Sequence, residues 1–288
     1  MAKVALVTGA NKGIGYAIVK NLALKYTELQ RTQSLTIYLS ARNKSLGETS
    51  LTELQKELKP QKILSDDGGN VDLKFMRIDL TDEQTMENAK EDLLKNHGGL
   101  DILINNAAMA FKGSAFDVNV VRTTFATNFY GTLKLCNYLL PIIRPEGRLI
   151  NIASSAGRLG ILSQELAREF TNDDLDVDGL IALMKKFEDA VEKGTWAEEG
   201  WPTNSYGMSK VGVTALTRIL ARRVNSEGKD ILVSACCPGW VRTDMAGPAA
   251  TLTTDQGAET PVFLALDETT VPQANNGEFW KRCKVAQW

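Results

Sequence analysis

Six short runs of the chain are apolar and rich in β-branched residues, and each reads as a strand buried on both faces. They cover residues 3–8, 35–40, 71–78, 100–104, 148–152 and 231–235, with a weaker seventh near Glu278-Phe279-Trp280. Between them, apolar positions recur at helical spacing. Ile14, Ala17, Ile18, Leu22 and Leu24 form one face, and Leu46, Leu51, Leu54 and Leu58 form a stripe on a polar helix from Asn43 to Pro60. Another helix carries Thr127-Asn128-Phe129-Tyr130-Gly131. Strand and helix in alternation predict an α/β fold, a doubly wound parallel sheet of about seven strands. One interruption stands out. From about 158 to 203 no strand pattern occurs, and Leu180, Ile181, Leu183, Met184, Phe187 and Val191 make a helical stripe. This predicts a helical insertion within one domain spanning residues 1–288.

In such sheets, ligands bind at the carboxyl ends of the strands. The first strand runs into Thr8-Gly9-Ala10-Asn11-Lys12-Gly13-Ile14-Gly15 and then a helix. Glycines allow close backbone approach, and the helix start offers unpaired N–H groups to a pyrophosphate. Gly9, Asn11, Lys12, Gly13, Ile14 and Gly15 are therefore candidate dinucleotide contacts, against the alternative of a plain glycine loop. The second strand ends at Ala41-Arg42, where an NAD site usually has a carboxylate for the ribose 2′-OH. Two cations, Lys12 and Arg42, favour a 2′-phosphate and hence NADPH/NADP+, unless both are solvated surface charges. Asp79 and Leu80 follow the third strand, placed to meet an adenine; capping of the next helix by Thr81 or Asp82 is the alternative. Asn106 and Ala107, Ser154, and the Pro238, Gly239, Val241 and Thr243 stretch close the fourth, fifth and sixth strands.

Tyr206 and Lys210 sit one helical turn apart, on the same face of a helix that reads as buried. A neighbouring ammonium favours the phenolate, so the tyrosine pKa is expected to fall and make Tyr206 a general acid near neutral pH.

Composition narrows the chemistry. The 288 residues are 43% hydrophobic and 24% charged, with a net charge of −2. Such a balance gives no electrostatic footprint for nucleic acid or an anionic membrane. No apolar run approaches the roughly 20 residues of a membrane span, and the N-terminal apolar stretch is too short for a signal peptide. Cys136, Cys236, Cys237 and Cys283 lack a C-x-x-C pattern and read as free thiols of a cytoplasmic protein. With His97 as the single histidine, a multi-histidine zinc site is excluded and no metal is expected.

Together, Thr8-Gly9-x-x-x-Gly13-x-Gly15, Asn105-Asn106-Ala107, Asn128, Ser154, Tyr206-x-x-x-Lys210 and Pro238-Gly239 resemble the short-chain dehydrogenase/reductase pattern across essentially the whole chain. Within that family, Gly200-Trp201-Pro202, the run from Ala235 to Pro248, and Gln287-Trp288 look like the monomeric NADPH-dependent carbonyl reductases. The resemblance implies a Rossmann-type domain whose insertion blocks a tetramer-forming helix face, favouring a monomer. It also implies Asn128, Ser154, Tyr206 and Lys210 as the catalytic set: Tyr206 gives the proton, Ser154 bonds the oxyanion, Lys210 holds the nicotinamide ribose, and Asn128 anchors a water leading to Lys210. The expected reaction is NADPH-dependent reduction of quinones and aromatic aldehydes and ketones, with Ser154, Tyr206, Trp240 and Met245 on the substrate. Phe111 and Trp196 extend the candidate apolar wall. The family's Asn-Asn-Ala motif usually continues with glycine, where this chain has Ala108. Two other readings use the same residues: a hydroxysteroid or secondary-alcohol dehydrogenase, and a non-catalytic NADP(H)-binding protein.

Overall fold

The computed structural model describes residues 2–113, 115–267 and 275–288. All its strands belong to one sheet, ordered β3-β2-β1-β4-β5-β6-β7-β8. They are β1 (Lys3–Val7), β2 (Leu35–Ala41), β3 (Val71–Arg77), β4 (Leu100–Asn105), β5 (Ile143–Ile152), β6 (Ile231–Cys237), β7 (Phe279–Lys281) and β8 (Lys284–Val285). The first seven pair in parallel, and β8 turns back antiparallel on β7. The sequence pattern thus missed an eighth strand, because two residues are too few to show a period.

It also placed the start of β5 five residues late. The extra residues cross Pro145 and Glu146, the latter at φ 62°, where the register with β4 shifts. A left-handed residue and a missing N–H disguise that stretch as a turn.

The central strands β1, β2, β4 and β6 are almost wholly buried because both faces of the sheet are covered there. Along β1, Val4 and Leu6 join one hydrophobic cluster while Ala5 and Val7 join the other. The second cluster is closed by α1 (Gly13–Glu28), α2 (Lys44–Leu58) and α9 (Thr254–Leu266), and the first by α3 (Glu83–His97), α4 (Val118–Phe125), α5 (Thr132–Leu139), α6 (Gln164–Thr171), α7 (Val177–Lys193) and α8 (Ser205–Ser226). Leu54 and Leu58 face the core from α2, but Leu46 is 56% exposed, so the expected stripe is shorter than its leucines suggest.

The expected insertion holds α6 and α7. Phe187 of α7 is fully buried against Phe125 of α4 and Trp201, with ring centroids 5.7 and 5.5 Å away. Trp196 packs on Phe116 at 5.3 Å and donates its indole N–H to Thr203 Oγ1 at 3.1 Å. That ring ties the insertion to the segment that follows β4.

Among the described residues no helix is long and apolar enough to cross a membrane, and no three His, Cys, Asp or Glu side chains are grouped to hold a metal ion. All four cysteines are free thiols. His97 ends α3 at the entry to β4, away from the Asn105 end of that strand, and its Nε2 lies 2.9 Å from the Tyr38 hydroxyl.

Candidate active site

The glycine loop between β1 and α1 is built by contacts that admit no side chains. A Cβ on Gly9 would stand 2.8 Å from the Ala107 Cα, and one on Gly15 would stand 2.5 Å from Asn106 Nδ2. Gly9 and Gly13 also have φ of 61°, the left-handed region that glycine enters without strain. Asn106 locks the loop from the end of β4, donating to the Thr8 and Gly9 carbonyls at 2.9 and 3.1 Å. Thr8 Oγ1 completes the tie by accepting from the Asn106 and Ala107 N–H groups, both at 3.0 Å. Asn11 joins the loop to α2, its carbonyl accepting from Ser50 Oγ at 2.7 Å. Ala108, the departure from the family motif, does not take a positive φ, so its methyl is accommodated.

The start of α1 differs from the other helices that begin from a loop. Asn43, Asp82, Asp117, Ser163, Asp176, Asn204 and Thr253 each cap their own helix with a side-chain oxygen. At α1 the cap position is Lys12, with no side-chain hydrogen bond and no acidic residue in the first turn. Ile14 lies within that turn. N–H groups left without a side-chain acceptor, above a floor of glycine, suit an anion such as a pyrophosphate.

Arg42 and Asp79 stand at the ends of β2 and β3. Arg42 is exposed. Burial alone would raise the Asp79 pKa, but bonds from the Thr81 N–H (2.9 Å) and hydroxyl (2.8 Å), with the Arg42 and Arg77 charges, hold it below the ordinary value. Asp82 is the cap of α3, accepting from Gln84 N at 3.2 Å. Leu80 packs against Gly131, where a Cβ would meet its carbonyl oxygen at 2.5 Å. Lys12 departs from expectation. Its ammonium is not a free second cation but pairs with Asp244 at 2.6 Å, two exposed groups on opposite lips of the groove.

That second lip follows β6. Pro238 leads into Gly239 at φ 88°, Val241 is buried and bridges to Leu252, and Thr243 Cγ2 lies 3.3 Å from where a Gly13 Cβ would be. Trp240 and Met245 are 54% and 43% exposed here, and Phe111 is 43% exposed on the segment after β4. These large apolar groups face solvent at the strand ends.

Tyr206 and Lys210 occupy the first turns of α8. Asn204 Oδ1 caps the helix by accepting from Gly207 N at 2.8 Å, which fixes where the turn begins. Lys210 is 3% exposed and donates to the Ile152 carbonyl at 2.7 Å, while its ammonium lies 5.7 Å from the Tyr206 ring centre. Burial pushes the Lys210 pKa down to about 8.

Tyr206 goes the opposite way from the sequence expectation. Burial pushes its hydroxyl up to about 12, against the lowering effect of a hydrogen bond with Ser154. The helical spacing places the ammonium one turn away, but desolvation of the phenolate is the largest influence on Tyr206, and Cys237 adds to it.

Ser154 closes β5. Its Oγ accepts from Ala156 N at 3.1 Å, which leaves its proton to be donated. Three strand and helix positions are cross-linked beneath it. Asn105 donates to Asn151 Oδ1 at 2.8 Å, and Asn151 donates to Thr217 Oγ1 of α8 at 2.9 Å.

Asn128 lies in a π-helical turn, Ala126–Gly131, between α4 and α5. Its amide is fully engaged within the protein, accepting from Met109 N and donating to Met109 O, each at 2.8 Å, and to Ser209 Oγ at 3.0 Å. Ser209 in turn donates to the Tyr206 carbonyl at 2.7 Å. The side chain reaches the Tyr206 turn through Ser209.

Sequence reasoning overlooked Asn204, Ser209 and Asp244. Asn204, three residues before Gly207 at the head of a helical run, carried a readable capping signal. Asp244 is 232 residues from its partner and carried none.

Comparison with known proteins places the chain among reductases of this fold. The sequence model of short chain dehydrogenases matches residues 3–166 and 196–252, leaving out most of α6 and all of α7. Carbonyl reductase (NADPH) 1 of Mus musculus is 43% identical, with 99% of this chain and 98% of that protein covered. The protein of the same name from Homo sapiens is 42% identical over the same shares. Among solved structures, salutaridine reductase from Papaver somniferum superposes with a TM-score of 0.77 at 25% identity, covering 96% of this chain and 99% of that one. The chain belongs to the short-chain dehydrogenase family.

Proposed function

We propose that this protein reduces carbonyl compounds to alcohols with NADPH, using Tyr206 as the proton donor. The observation that carries the reading is a buried Lys210 with its ammonium 5.7 Å from the Tyr206 ring, on a helix packed against the turn that follows Ser154, in a fold whose glycine loop opens a helix with no cap of its own. The similarity to carbonyl reductases over nearly the whole chain supports the cofactor and the reaction class.

Gly9, Asn11, Lys12, Gly13, Ile14 and Gly15 would hold the pyrophosphate and neighbouring ribose. Arg42 would pair with the 2′-phosphate, Asp79 and Leu80 would border the adenine, and Asn106, Ala107, Pro238, Gly239, Val241 and Thr243 would flank the nicotinamide half. When bound, the reduced nicotinamide supplies the hydride that forms the new C–H bond.

The protein's own groups do the rest. Ser154 donates a hydrogen bond to the substrate oxygen as charge develops there. Tyr206 gives that oxygen its proton, converting C=O to C–OH and leaving a phenolate. A hydroxyl titrating near pH 12 is protonated throughout the physiological range, as a donor must be. Lys210, largely charged below pH 8, stabilises the phenolate across the turn and would bond the nicotinamide ribose. Asn128 braces the Tyr206 turn through Ser209 and would border the water path to Lys210. Trp240 and Met245 would meet the apolar body of the substrate, suiting quinones and aromatic aldehydes and ketones.

The insertion covers faces of α4 and α8, which supports a monomer, and four free thiols support a cytoplasmic setting. NADPH oxidation with a panel of quinones and aromatic carbonyls, run beside NADH, tests the reading. Turnover preferring NADPH is expected. Tight NADPH binding without turnover across the panel would overturn it.

A further inference from the structure

The turn that carries Ser154 is gripped from two sides. On one side it lies directly on α8. A Cβ on Gly157 would stand 2.7 Å from the Lys210 carbonyl carbon and Cβ, and one on Gly207 would stand 2.7 Å from the Ala156 oxygen. On the other side, the Trp288 indole N–H donates to the Gly157 carbonyl at 2.8 Å. A hairpin delivers that indole. Arg282 and Cys283 take φ of 53° and 57°, as a two-residue turn between antiparallel strands requires. β8 then pairs with β7, and Ala286 N bonds the Phe279 carbonyl at 2.8 Å.

Trp288 packs on the small cluster of Ala153, Val213, Ala235, Cys237 and Phe279, with the Arg218 guanidinium 5.9 Å from its ring. One side chain therefore borders the residue before Ser154, the helix of Tyr206 and Lys210, and the end of β6. Gly157 joins that anchor to Ser154. Its N–H bonds the Ser154 carbonyl at 3.0 Å, and the Ala156 N–H bonds Ser154 Oγ at 3.1 Å.

We infer that Trp288 is a positioning residue: its indole N–H holds the 154–157 turn against α8 and so keeps the Ser154 hydroxyl on Tyr206. The inference rests on the roles proposed above for Ser154 and Tyr206. Without the indole N–H, the Gly157 carbonyl loses its anchor and the turn is held from the α8 side alone, which loosens Ser154.

Trp288→Phe retains a ring in the cluster and removes only the donor. Its kcat is expected to fall about tenfold while the KM for NADPH stays within about twofold, since one hydrogen bond is lost and the cofactor floor is untouched. Amide exchange is expected to quicken at residues 154–158 and stay unchanged at the glycine loop. In a Ser154→Ala background the same change should cost no further kcat, because the group it positions is gone. Wild-type kcat in Trp288→Phe, or a full additional loss in the Ser154→Ala background, would overturn the inference. If the wild-type protein turns over no carbonyl at all, the reductase reading fails on its own. The exchange measurement then decides for the clamp by faster exchange at 154–158, or against it by no change.

Discussion

The floor of the site and its lips are built by opposite means. On the floor, Asn128 is 1% exposed, Lys210 is 3% exposed, and both are held by bonds of 2.7–3.0 Å to backbone or side-chain partners within the protein. On the lips, Lys12 and Asp244 meet across the groove with side chains 68% and 77% exposed, and Trp240 stands in solvent. Burial makes the floor rigid and shifts its pKa values. Because both groups on the lips are exposed, separating them would leave no buried charge unpaired. Under the proposed function, chemistry falls to the buried groups and recognition to the exposed ones.

The largest expected effect falls on the floor. Tyr206→Phe removes the donor and should lower kcat by about 10²–10⁴-fold, with NADPH affinity read by fluorescence titration unchanged. Substantial residual turnover would place the proton source elsewhere. At the lip, Arg42→Ala should raise the KM for NADPH about tenfold or more and leave that for NADH nearly unaltered, as loss of a charge-assisted bond to one phosphate would do. Equal effects on both cofactors would break the division between floor and lip.

The pH profile sharpens the comparison further. Lys210 has its pKa lowered from 10.5 to about 8, so it is charged below that pH and neutral above. In the reductive direction, kcat/KM is expected to fall as pH rises through about 8, while Tyr206 keeps its proton. Stability should move the other way. Between about 8 and 10.5 the unfolded lysine holds a proton that the folded one has released, so this group makes unfolding harder as pH rises. A flat rate profile across that window would mean the ammonium is not needed. The smallest effect is expected from Asp244→Asn, which frees Lys12. Thermal midpoint should not change measurably, and the KM for NADPH should fall slightly as the lysine becomes available to phosphate.

Much of this was readable in the sequence because short-range rules governed it. The central strands declared themselves by continuous apolar runs, the glycine loop by its position between strand and helix, and Tyr206 with Lys210 by helical spacing. Desolvation was not readable. The same spacing that placed the ammonium near the phenol said nothing of how deeply both would be buried, and burial reversed the sign of the Tyr206 shift. Nor could spacing reveal that Lys12 has a partner 232 residues away, or that Trp288 returns to Gly157 across 131 residues. The two residues of β8 were invisible for a different reason: their position follows from the turn at Arg282 and Cys283, which only the folded backbone displays.

The strand order has a consequence for the chain as it is made. β1 pairs with β2 through Lys3 and Leu35, and β2 with β3 through Leu35 and Val71, so one side of the sheet can assemble early. The other edge of β1 waits for β4, where Ala5 aligns with Ile102. At synthesis rates of about 5–20 residues per second, that apolar edge stays unpaired for roughly 5–20 s. During that interval the emerging chain presents a sticky parallel-strand template to its neighbours. Nascent protein, more than the finished enzyme, is therefore the form expected to lean on chaperones.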